Sequence, residues 1–299
     1  MTMRRRGIWA IGGLLSWAVL APALAFSAPE PPAKPAEGGD IVVPYEPTPD
    51  IVVRTMLRIA DVGPADSLVD LGSGDGRIVI TAAKDFGAQG LGIELDADLV
   101  KLSRANALAA GVADRAIFRQ EDIFKTDLRA ATVVTMFLYR RINLQLRPRL
   151  LELKPGTRIV SHFHDMGDWR ADKAELVKSS AHYGESWVRL WVVPAKAAGP
   201  WLWRETRAGA MQQHRLVLRQ EFQEIAGVLE TESLRPIEIR DAKLSGAEIA
   251  FWLPIREGSH TLRWDYRGRI EGDRIVGRAA SGDATGQRVV EWSAARERR

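Results

Sequence analysis

Between positions 70 and 76 the chain reads Asp70-Leu71-Gly72-Ser73-Gly74-Asp75-Gly76. Glycines at alternate positions around Ser73 describe a tight loop whose backbone can approach a ligand closely. Such a loop does not by itself choose its ligand, because nicotinamide and flavin dinucleotides use it too. The carboxylates choose. A pyrophosphate held against backbone N–H groups would meet the negative charge of Asp70 and Asp75, at a cost in any water-poor pocket. A ligand carrying an ammonium and a sulfonium meets the same acids with opposite charge, and S-adenosylmethionine (SAM) carries both. Glu94, in Gly92-Ile93-Glu94, stands where an acid meets a ribose diol. Asp122, in Glu121-Asp122-Ile123, stands where an acceptor meets an adenine amino group. The expected cofactor set is therefore Asp70, Gly72, Ser73, Gly74, Asp75, Gly76, Glu94 and Asp122.

The elements that must position these groups alternate. Thr48-Pro49-Asp50 reads as a helix start, with a capping hydroxyl, a proline at the first position and an acid in the first turn. That helix ends at Gly63-Pro64. Strands are expected at 67–71, 90–95, 116–120, 132–138, 157–163 and 187–194, and helices at 77–86, 98–110 and 143–153. Strands alternating with helices imply a parallel sheet covered on both faces, a Rossmann-like α/β fold with the acids at the carboxyl ends of three successive strands. After Ala195-Lys196-Ala197-Ala198-Gly199 the texture changes to short alternating runs at 214–220, 225–230, 237–240, 248–253, 261–266, 274–279 and 288–294. These imply a small all-β meander, a barrel or sandwich. Trp201, Trp203, Trp252, Trp264 and Trp292 lie there and are expected to fill its core rather than line a ligand pocket. The domain limits that follow are 41–195 and 200–299.

Pro44-Tyr45-Glu46-Pro47-Thr48, the loop through Arg77, Gly92-Ile93-Glu94 and Leu153-Lys154-Pro155-Gly156-Thr157-Arg158 resemble the ATP-synthase c-subunit lysine methyltransferase family, a class I SAM-dependent group, and its exported or anchored bacterial relatives. The resemblance covers roughly residues 42–194. It implies that the Pro-x-x-Pro-Thr segment lies over the cofactor and beside the target side chain, which places Tyr45 and Glu46 at the reaction centre. It also implies a protein lysine as acceptor. Methyl transfer from a sulfonium needs mainly alignment and exclusion of water. An amine with a pKa of about 10.4 adds roughly 4–5 kcal/mol at pH 7. Tyr45, Glu46, Tyr139 and Asp165 are candidates to orient that amine. The chain departs from the family pattern at His164. His162 and His164 fall on one face of an expected strand, but zinc needs three or four convergent ligands, and the other histidines are remote. They are expected to be hydrogen-bonding residues at the mouth of the crevice, with no metal.

The chain lacks cysteine, so disulfides, thiolate nucleophiles and Cys-based zinc sites are excluded. Its net charge of +4 includes Arg4, Arg5 and Arg6, and no dense basic stripe follows, so nucleic-acid binding is not expected. Those arginines, the apolar run 8–26 and Ala23-Leu24-Ala25 form a signal peptide cleaved after Ala25, or an N-terminal anchor close to a membrane. Residues 26–40 read as a disordered linker. Export places the remainder in the periplasm or outside the cell. Two rival functions stand beside lysine methylation: methylation of a small or envelope-associated molecule, and a non-catalytic SAM-fold protein whose β domain binds a ligand.

Overall fold

The computed structural model describes residues 45–179, 184–207, 210–231, 234–283 and 286–297. The signal peptide or anchor expected at 1–25 and the linker at 26–40 lie outside them. Among the described residues no helix is long and apolar enough to cross a membrane.

The chain enters through α1 (Asp50–Ile59) and then alternates: β1 (Ser67–Leu71), α2 (Arg77–Asp85), β2 (Gln89–Glu94), α3 (Ala97–Ala109), β3 (Ala116–Gln120), β4 (Val133–Met136), α4 (Arg140–Leu150) and β5 (Arg158–His162). Two further strands, β6 (Lys173–Lys178) and β7 (Glu185–Val192), complete a seven-stranded sheet of order β3-β2-β1-β4-β5-β7-β6. The first five strands are parallel. β7 runs antiparallel between β5 and β6. The Rossmann-like sheet expected from the sequence is present, with one reversal: β7, expected as its last strand, runs antiparallel, and β6, an exposed edge strand, was not foreseen. Edge strands bury one face at most and carry a weak hydrophobic signal.

The two faces of the sheet are covered unequally. Val52, Val53, Met56 and Leu57 of α1, Ile78 and Val79 of α2, and Val100 and Ala107 of α3 pack on Leu68, Val133, Val160 and Val188. On the other face, Ile142, Leu146 and Leu150 of α4 pack with Leu71, Ile93, Met136, Trp169 and Trp191. The entry to α1 differs from expectation. Pro49 is the N-cap and makes no side-chain cap bond, while the Thr48 hydroxyl turns inward to Nδ1 of His162 at 3.3 Å.

The remaining strands are β8 (Gly199–Arg207), β9 (Ala210–Glu221), β10 (Glu224–Thr231), β11 (Leu234–Glu238), β12 (Arg240–Ser245), β13 (Glu248–Glu257), β14 (His260–Glu271), β15 (Arg274–Asp283) and β16 (Gly286–Arg296). They form one antiparallel sheet of order β11-β10-β9-β8-β16-β15-β14-β13-β12. β16 pairs with β8, and the N–H of Ile239, at the β11–β12 corner, donates to the Gly227 carbonyl at 3.0 Å. The sheet is a nearly closed, barrel-like meander. Trp201, Trp203, Trp264 and Trp292 are buried in its core with Phe251 and Tyr266. Trp252 is the exception. It faces outward, between the guanidinium groups of Arg240 and Arg263.

The antiparallel course of β7 decides where the barrel attaches. Arg158, the first residue of β5, pairs with Val192, the last of β7, so the chain leaves the sheet at its amino edge. There the N–H of Ala195 donates to Gly246 at 2.7 Å, and Gly246 lies so close to Gly156 that a Cβ would meet its Cα at 3.1 Å. Phe222, in the β9–β10 turn, stacks on Trp169 with ring centroids 5.9 Å apart. Gln223 accepts from the Trp169 indole at 3.0 Å and donates to the Arg170 carbonyl at 2.7 Å. The barrel therefore docks at the amino edge and on the α4 face.

Candidate functional site

The carboxyl edge of the sheet gathers the acids. Gly72, Gly74 and Gly76 have φ values of 77°, 53° and 83°, a region that glycine enters without strain. The Gly72 and Ser73 amides both donate to the Ile93 carbonyl at 2.9 Å, which ties the loop to the end of β2. Contacts leave no room for side chains. A Cβ at Gly76 would meet Phe118 at 2.5 Å, and one at Gly74 would meet the Tyr45 ring at 2.6 Å. Tyr45 thus lies directly on the loop. The segment that resembles the family's does cover it.

Asp70 is 1% exposed, and one of its oxygens accepts from the Thr135 hydroxyl at 2.7 Å. Burial pushes its pKa up to about 7, and the nearby charges of Glu94 and Asp75 push in the same direction. A carboxylate in that position gains from a cation, and no cationic side chain pairs with it among the described residues. The Ser73 hydroxyl is also buried, without a hydrogen-bond partner among the described residues. Glu94 accepts from the amides of Gly74 (2.9 Å), Leu95 (2.8 Å) and Asp96 (3.0 Å). Oε1 takes the Leu95 and Asp96 amides, and Oε2, with the Gly74 amide, keeps lone-pair capacity for a hydroxyl. A buried carboxylate seeking a cation, a half-buried one able to accept a hydroxyl, and a loop whose glycines leave its backbone bare together fit SAM.

The other expected residues are brought to the same edge with partners of their own. Asp75 makes a two-pronged ion pair with Arg77 at 2.7–3.1 Å, and this holds its pKa down despite partial burial. Arg77 in turn donates to the Thr48 carbonyl at 3.0 Å. Asp75, Arg77 and Thr48 therefore clamp the 45–48 segment over the loop. The Tyr45 phenol has a raised pKa, from burial first and then from Asp75. Asp122 caps its own turn, accepting from the Phe124 amide at 2.9 Å, and lies 3.4 Å from Lys125. Glu46 and Tyr139 are both exposed. Asp165 pairs with Arg140 at 2.8 Å.

Sequence reasoning missed Thr135 and the clamp role of Arg77. A threonine on β4 gives no signal until the register places it beside Asp70. The histidine pair also needs correction. β5 ends at His162, Phe163 has a φ of 66°, and the strand alternation stops there. His162 is buried, its ring 4.0 Å from that of Phe137, with Nε2 lacking a hydrogen-bond partner among the described residues. Burial pushes its pKa down to about 4. His164 lies off the strand near Tyr139, ring centroids 6.0 Å apart.

Residues 70–173 match the family model of the ANTKMT methyltransferase domain. A protein-lysine N-methyltransferase of Saccharolobus islandicus (strain REY15A) is 47% identical over 138 residues, 46% of this chain and 84% of that protein. An adenine nucleotide translocase lysine N-methyltransferase of Mus musculus is 32% identical over 159 residues, 53% of this chain and 66% of that protein. Among solved structures, an RNA methyltransferase from Salinibacter ruber in complex with S-adenosyl-L-homocysteine is 51% identical, with a TM-score of 0.47, covering 50% of this chain and 95% of that one. The chain belongs to this methyltransferase family and is a class I SAM-dependent methyltransferase.

Proposed function

We propose that the enzyme methylates a lysine ε-amine of a protein. The observation that carries this reading is the 47% identity to a protein-lysine N-methyltransferase over 84% of that relative's length. Bound SAM supplies a methyl group on a positively charged sulfur. Around it, Asp70 faces the cationic amino-acid end, and Glu94 accepts from a ribose hydroxyl. The backbone of Gly72, Ser73, Gly74 and Gly76 lines the approach, and Asp122 serves the adenine end. Asp75 works through Arg77, keeping Tyr45 on the loop and water out. Glu46 and Tyr139 stand at the exposed mouth, where they accept hydrogen bonds from the incoming amine and orient its lone pair.

We also propose that the protein works outside the cytoplasm, near a membrane, on a protein of the cell envelope. Arg4–Arg6 and the apolar run after them support this. Labelled-methyl transfer from SAM into an envelope extract and into total RNA tests both readings. Label in protein that maps to lysine is expected. Label confined to small molecules or RNA would overturn the lysine reading, and no saturable SAM binding would overturn the cofactor assignments.

A further inference from the structure

The end of β5 holds a strained conformation. Phe163 has a φ of 66°, and the N–H of His164 donates back to the His162 carbonyl at 2.8 Å. That bond from one residue to the second before it, across a positive φ, is a γ-turn of the strained hand. A bulky residue there is strained and persists only where its surroundings over-determine it. The surroundings do so: Phe163 donates to the Trp187 carbonyl at 2.6 Å, and the Arg189 guanidinium donates to the Phe163 carbonyl.

Burial of the ring does not offset this strain, because Phe163 is 38% exposed whereas its neighbour His162 is fully buried. The turn carries the ring to the carboxyl edge. It meets His164 with centroids 5.1 Å apart, and His164 meets Tyr139. The exposed Trp187 lies alongside, with Arg189 5.3 Å above its face. A guanidinium held by the Phe163 carbonyl and over the Trp187 ring disfavours a second cation there and leaves an aromatic surface for an apolar group.

Resting on the lysine methyltransferase reading, we infer that Phe163 is a specificity-determining residue, presented by the γ-turn to an apolar side chain that flanks the acceptor amine. The test uses the full chain, SAM, and two lysine peptides that differ in having leucines or serines beside the lysine. Wild type is expected to favour the leucine peptide by about tenfold or more in kcat/KM, the scale on which an apolar contact discriminates. In Phe163→Gly that ratio falls to within about twofold. SAM affinity is retained, and Tm is equal or higher, because glycine takes the positive φ without strain. Phe163→Ala keeps the backbone demand, so it loses the ratio without the gain in Tm. A Phe163→Gly enzyme that keeps the wild-type ratio, or a wild type that labels both peptides equally, overturns the inference alone. A wild type that binds SAM and labels lysine in neither peptide overturns the lysine reading and the inference with it.

Discussion

The two sheets differ in the kind of group they bury at their centres. The barrel spends its interior on rings: Trp203, Tyr266 and Trp292 meet one another at centroid distances of 5.2–6.3 Å, and its stability is packing. The mixed sheet leaves Asp70, Ser73 and Nε2 of His162 buried at or near its carboxyl edge with few or no partners among the described residues. Burying such groups destabilises a fold unless a ligand completes them. The difference teaches where to look. Function sits where a carboxylate is buried without a cationic partner among the described residues, and the ring-filled core is scaffold.

The sharpest way to break this comparison is to damage the scaffold and watch the site. Trp201→Ala should destabilise the protein by about 3–5 kcal/mol in urea denaturation, while the folded fraction binds SAM as wild type does. A parallel loss of affinity would show that the barrel shapes the site. Gly74→Ala comes next. It forces a side chain into positive φ, at about 1–3 kcal/mol, and against Tyr45. SAM affinity, read by calorimetry, should fall at least tenfold, and adding Tyr45→Ala should recover part of it.

Asp70→Asn should weaken SAM by about 1–3 kcal/mol, and it carries a pH signature. The folded pKa lies near 7, above the ordinary carboxylate range. Between those values the folded state without ligand binds the extra proton, so stability falls as pH rises through that window. The variant should flatten the fall in Tm. In the wild type SAM binding should tighten towards pH 7 and above, with proton release, because a cation favours ionised Asp70 beside Glu94 and Asp75. The smallest effect belongs to the barrel. Trp292→Phe removes a buried indole N–H that has no hydrogen-bond partner among the described residues, so stability should change by no more than about 1 kcal/mol.

What the sequence made legible follows the strength of each local signal. The βα alternation, the glycine loop and the change of texture after Ala195 were plain, because buried parallel strands and alternating meanders have distinct periods. The strands β6 and β8 and the reversal of β7 were not, because strand direction leaves no mark on composition. At the site, glycines and acids announced themselves by type and spacing. Their partners did not: the Thr135 bond, the Arg77 clamp and the Thr48–His162 contact span 65, 29 and 114 positions. Such pairings belong to register, which only the folded chain supplies. The same holds for Phe163, whose identity reads as an ordinary strand residue until its φ is known.

The docking of the barrel at the amino edge has a consequence for traffic through the enzyme. β5 alone, from Arg158 to His162, separates that edge from the crevice by about 15 Å at roughly 3.3 Å per residue. Anything gripped by the barrel is moored, not enclosed. It reaches the methyl donor only along its own length, about five extended residues or more, and the benefit is a raised local concentration set by that span. A long polypeptide can exploit such a mooring. A small molecule, too short to touch both ends, gains nothing from it.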